Sequence, residues 1–143
     1  MVLLMTLTVV ADAAGAFQEL EANAIVGSTG FTITGAAALD YSGTSVSGAG
    51  DVNGDGLNDI LLTSQNAFNG SGAVYVLLNQ GHSGASFPVT DLHQNMPAQL
   101  GYVVIGAAGE MLGASVSFAG DVNGDGVGDF IIGRKYTLGG APV

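Results

Sequence analysis

A chain of 143 residues has room for one ordinary domain with a buried core. Its formal net charge is -10, and Arg134 and Lys135 are its only cationic side chains, which argues against nucleic acid or an anionic membrane as a partner. Cysteine is absent, which removes a disulfide framework, a thiolate zinc site and a Cys nucleophile from consideration.

In chain order, the opening MVLLMTLTVV followed by ADAAGA has the apolar run and small residues of a signal peptide, but no Lys or Arg precedes them. The run is too short to span a bilayer as a helix, so no membrane insertion is expected. Helical spacing occurs only in 11–22, where QELEA suits a turn or two, and 24 glycines disfavour long helices. Beyond it, runs of β-formers at 31–34, 44–47, 59–63 and 73–78 are separated by Gly, Asn, Asp and Ser. Four short strands per unit predict one four-stranded propeller blade per unit.

The unit repeats. GTSVSGAGDVNGDGLNDILLT (43–63) returns as GASVSFAGDVNGDGVGDFIIG (113–133) at an offset of 70, with thirteen of twenty-one positions identical. Upstream, GFTITGAA (30–37) matches GYVVIGAA (101–108) with one residue of length difference. These matches divide the chain into a strand of a preceding blade plus connection (1–38), a first repeat (39–108) and a truncated second repeat (109–143), all within one repeat domain. The same offset lays 1–10 over SGAVYVLLNQ (71–80) and sets Phe17 on Phe87, so the opening reads better as a displaced last strand than as a signal peptide. The far end agrees, since GGAPV (139–143) lies over NGSGA just before that strand would begin.

Within the repeat, DVNGDGLND (51–59) and DVNGDGVGD (121–129) place oxygen side chains at loop positions 1, 3, 5 and 9 around a Gly at position 6. Calcium takes about six to eight oxygens, and a tight loop with alternate side chains turned inward supplies them from few residues. The candidate ligands are Asp51, Asn53, Asp55 and Asp59, then Asp121, Asn123, Asp125 and Asp129, with backbone carbonyls of Leu57 and Val127 at position 7. The competing reading, in which Asn-Gly and Asp-Gly only mark hairpin turns, is weakened because both copies keep the position-9 Asp and lead into an apolar strand. An EF-hand is excluded, because loop position 12, where it carries Glu, is Leu62 or Ile132.

On GTSVSGAGDVNGDGLNDILLTS and GASVSFAGDVNGDGVGDFIIGRK the sequence resembles the FG-GAP repeats of integrin α-subunit propellers and their bacterial relatives. The resemblance implies an all-β fold, a partial β-propeller of about two four-stranded blades, whose loops hold calcium between neighbouring strands. Two departures stand outside the loops. The family's Phe-Gly pair is Ser42-Gly43 and Leu112-Gly113, and its Gly-Ala-Pro is Thr63-Ser64-Gln65 and Gly133-Arg134-Lys135.

Nothing in the sequence assembles a catalytic centre. His82 and His93 sit in polar or Gly-rich stretches without a partner at metal or triad spacing, and no Gly-x-Ser-x-Gly elbow occurs. Ser45, Ser47, Ser115 and Ser117 alternate with Val as on a strand with one polar face. Arg134 and Lys135 read as a solvated strand end; Tyr75, Phe87, Tyr102, Phe118 and Phe130 read as core or inter-blade packing. The expected function is a calcium-binding extracellular or cell-surface module for adhesion or binding of a protein or glycan, not an enzyme. An accessory propeller of a larger secreted enzyme and a self-assembling structural unit are the alternatives. Residues 1–10 are expected to pair beside 130–132 of another copy or of a larger propeller, because two blades cannot close a ring.

Overall fold

The fold is described from a computed structural model, which covers residues 6–10, 30–81, 92 and 96–135, with the backbone alone for 6–10 and 30–32. The expected helical turn at 11–22, together with His82, His93 and Phe87, lies outside the described residues.

Among the described residues eight strands follow one another: β1 (Thr6–Val10), β2 (Gly30–Thr34), β3 (Ser42–Gly50), β4 (Asp59–Ser64), β5 (Ala73–Leu77), β6 (Gly101–Ile105), β7 (Leu112–Gly120) and β8 (Asp129–Arg134). They form three antiparallel sheets, β1-β2, β3-β4-β5-β6 and β7-β8. The middle sheet is a complete four-stranded blade, and the outer two hold a pair of strands each among the described residues. This is the all-β, partial-propeller architecture that the repeat predicts.

The inner strands of the middle sheet, β4 and β5, are buried on both faces and carry mostly apolar side chains. Register sorts them. Leu62 pairs with Tyr75, and both face a cluster with Ile33, Ala67, Ala73, Leu77 and Leu92 on the β1-β2 side. Leu61 pairs with Val76, and both face a second cluster with Ala49, Val74 and Val116, packed against Phe130 and Ile132 on the β7-β8 side. Burying each of the Leu, Ile and Val side chains contributes about 1.5–3 kcal/mol. Two covered faces explain why DILLTS and AVYVL read as continuous rather than alternating runs.

Two expectations need correction. The strand at 31–34 does not open the blade that follows it; β2 pairs with β1, and its counterpart β6 is the fourth strand of the middle sheet. Between β2 and β3 the chain turns through left-handed Leu39 (φ 69) and Tyr41 (φ 55), which carries it to the next sheet. The uniform offset of 70 also misplaces the opening strand. Thr6 pairs with Thr34 as Ala73 pairs with Ile105, so β1 corresponds to β5 three residues later than that offset gives.

The polar face that the serines form on β3 is turned to the neighbouring sheet. Ser45 Oγ accepts the Val116 N–H at 3.1 Å, and Ser47 Oγ accepts the Phe118 N–H at 3.3 Å. They join β3 to β7 across the boundary between sheets. Tyr75 is buried as expected, whereas Tyr102 and Phe118 are each nearly half exposed. Phe118 nevertheless packs between sheets, since its ring lies over Gly50. Arg134 is exposed and ion-pairs with Glu110.

Candidate metal centre

Both acidic loops connect the first and second strands of a sheet, β3 to β4 and β7 to β8. Each begins just after a left-handed glycine, Gly50 or Gly120, and turns sharply at Gly56 (φ 87) or Gly126 (φ 88), a conformation that side-chain-bearing residues rarely adopt.

The first position organises the turn. Asp51 Oδ1 accepts the N–H groups of Gly54 (2.7 Å) and Asp55 (3.0 Å), and its Oδ2 accepts that of Gly56 (2.8 Å). Those donors, Gly56 foremost, hold the Asp51 carboxyl below the usual carboxylate range. Asn53 Oδ1 accepts the Asp55 N–H at 3.0 Å while its Nδ2 donates to Asp55 Oδ2 at 2.9 Å, and Asp55 Oδ1 accepts the Leu57 N–H at 2.8 Å. The second loop repeats the set: Asp121 accepts from Gly124, Asp125 and Gly126, Asn123 exchanges bonds with Asp125, and Asp125 accepts from Val127. Asp121 is likewise held low, again chiefly by its position-6 glycine.

Position 9 ties each loop to its sheet. Asp59 Oδ2 accepts the Val52 N–H at 3.0 Å, as Asp129 Oδ2 accepts that of Val122 at 2.9 Å. Asp59 is buried, and its Oδ1 also accepts the Asn79 N–H at 2.8 Å from just beyond β5. Burial pushes its carboxyl above the ordinary value, the two N–H donors pull it back, and the charges of Asp55 and Asp51 push it up again. These three carboxylates therefore share one electrostatic neighbourhood. Among the described residues, no group of three or more Asp, Glu or His side chains stands where it could hold an ion, the loop carboxylates being turned to backbone N–H groups.

Two participants were not read from the sequence. Asn79 anchors Asp59 through its N–H, donates from Nδ2 to the Asn58 carbonyl and accepts the Gly81 N–H; the Asn-x-Gly after β5 is the turn signal that pointed to it. The loops also touch, since Gly128 donates its N–H to the Asp51 carbonyl at 2.7 Å. No sequence signal marks that bond.

Stacked antiparallel sheets with the same acidic loop between their first two strands define a blade-repeat protein of propeller type. Residues 42–77, which span β3 to β5, match the family model for the FG-GAP repeat, so the chain carries an FG-GAP repeat. It is 35% identical over 114 residues to "Integrin alpha-PS2" of Drosophila melanogaster, covering 74% of this chain and 7% of that protein. To "Integrin alpha-PS5" of the same organism it is 34% identical over 106 residues, covering 71% of this chain and 9% of the relative. The chain thus spans less than a tenth of the length of these curated relatives.

Proposed function

We propose that this chain is a calcium-holding propeller segment of an extracellular or cell-surface protein, working in adhesion or protein binding rather than catalysis. The observation that carries the reading is the duplicated loop, in which two nine-residue segments adopt one hydrogen-bond pattern with the same four oxygen-bearing side chains. By ligand type the donor set suits a hard cation, and the carboxylates, turned to backbone N–H groups here, would have to swing together to hold one. A carboxylate has about four acceptor positions; after the bonds described, both oxygens of Asp55 and Asp59, Asp51 Oδ2 and Asn53 Oδ1 each keep capacity for a further partner. All are oxygens, the ligand type that calcium and magnesium prefer, and no soft ligand is present.

The residues that would hold the ion are Asp51, Asn53, Asp55 and Asp59 with the Leu57 carbonyl, and Asp121, Asn123, Asp125 and Asp129 with the Val127 carbonyl. A bound ion would neutralise clustered charge and stabilise the folded sheets by mass action. With a dissociation constant of about 0.1 mM, roughly 1 mM calcium contributes about 1.4 kcal/mol per site. Sites of that strength would fill outside cells rather than in the cytosol, and the likeness to two integrin alpha chains supports the extracellular reading.

Calorimetry on the whole chain is expected to show two calcium sites. Asp55→Ala should leave one, because it removes a carboxylate from one loop only, while Asp40→Ala, outside both loops, should leave two. Absence of binding heat together with an unchanged melting temperature in chelator would defeat the proposal.

A further inference from the structure

The complete middle sheet is a template for what the other two sheets present to their surroundings. In it, β4 has β5 on one edge and the β7-β8 pair across one face, and Leu61 is 0% exposed. Its counterpart on β8, Ile131, is 64% exposed, and among the described residues β8 pairs only with β7. The other side of the molecule mirrors this. Val116 on β7 is packed against the middle sheet and 8% exposed, whereas its counterpart Val46 on β3, which faces only the β1-β2 pair, is 45% exposed.

The geometry points to a second copy of this chain as the occupant of both surfaces, docked head to tail so that its β1-β2 pair completes the sheet begun by β7-β8. The occupant is specified by register. β1 corresponds to β5 and β8 to β4, so the ladder that joins β4 to β5 sets Phe130 against Val10, Ile131 against Val9 and Ile132 against Thr8 of the second copy. Among the described residues β1 pairs on one edge only, which leaves the other for this ladder. The second copy's β3 then lies against β7 as β7 lies against β3 within one chain. Ser115 and Ser117 would accept the N–H groups of Val46 and Gly48 of the second copy, as Ser45 and Ser47 accept those of Val116 and Phe118. One docking therefore covers Ile131 of the first copy and Val46 of the second. A head-to-tail contact of this kind gives a ring if its rotation closes and a filament if it does not.

Light scattering with size separation over a concentration series tests this, in calcium and in chelator so that the outcome does not hang on the metal. Mass should rise above one copy with concentration. Ile131→Lys and Val46→Lys change residues already exposed in the single chain, and unchanged far-UV spectra confirm that both fold. Each alone should stay at one copy, and an equal mixture should give a dimer, because one variant keeps a working head and the other a working tail. Mild oxidation should link Val9→Cys of one copy to Ile131→Cys of another, while Val9→Cys and Ile132→Cys, on opposite faces in this register, should not link. A wild-type chain that remains a single copy, variants that associate like wild type, a mixture without dimers or the opposite crosslinking preference would each overturn the proposal. A single-copy result would assign the two surfaces to other polypeptide.

Discussion

Gly50 shows how closely single residues are fitted at the boundary between sheets. Its backbone lies in the left-handed region at φ 67, and a Cβ placed there would stand 2.4 Å from Phe118 Cε2. Gly50→Ala should lose about 1–3 kcal/mol from backbone strain alone, with displacement of the ring in addition. Gly48→Ala, two residues earlier on the same strand, would meet nothing within 4 Å and should stay within about 0.5 kcal/mol. Urea denaturation of the two variants makes the comparison. Tyr75 gives a second test at this scale. Burial foremost, and the Asp40 charge after it, push the phenol up to about 12. The unfolded chain ionises near 10, so the stability that Tyr75 contributes is fully present below about pH 10 and is lost as pH rises towards 12. Tyr75→Phe, measured by denaturation at stepped pH, should lack that loss over the window.

Ser42 and Ser64 are directly paired across β3 and β4, and their hydroxyls are 2.7 Å apart in a buried position. Both stand at the two places where the repeat departs from the FG-GAP pattern. Replacing either serine alone by Ala leaves one buried hydroxyl without its partner and should cost about 1–3 kcal/mol, whereas the double replacement should recover most of it. A double-mutant cycle by thermal or urea unfolding reads that coupling. The acidic loops and the strands behind them were legible in the sequence because nine residues recur with the same spacing and lead into the same apolar run. The pairing of β2 was not, because Gly-rich turns look alike whether they join strands within a sheet or carry the chain to the next one. The register of β1 escaped for a related reason: MVLLMTLTVV is apolar throughout, and an apolar run can slide by several residues without changing its match. Ser45 and Ser47 alternate as one polar face, and only the packing of β3 on β7 shows that this face meets protein.

At the scale of the whole molecule, the sheets are layered, and the middle sheet and the β7-β8 pair carry their acidic loops in the same place. The bond from the Gly128 N–H to the Asp51 carbonyl makes Asp51 common to two loops, with its side chain closing its own turn and its backbone holding the neighbour. An ion that fixes Asp51 would also restrict the residue to which the second loop is tied, so less ordering remains for the second ion. Binding is therefore expected to be cooperative, with a calcium isotherm steeper than that of two independent sites. Gly128→Pro, which removes the donor, should return the isotherm to independent behaviour. With the two loops linked in this way, calcium held as proposed at one would prepare its neighbour, so the pair would fill over a narrower range of concentration than two separate sites.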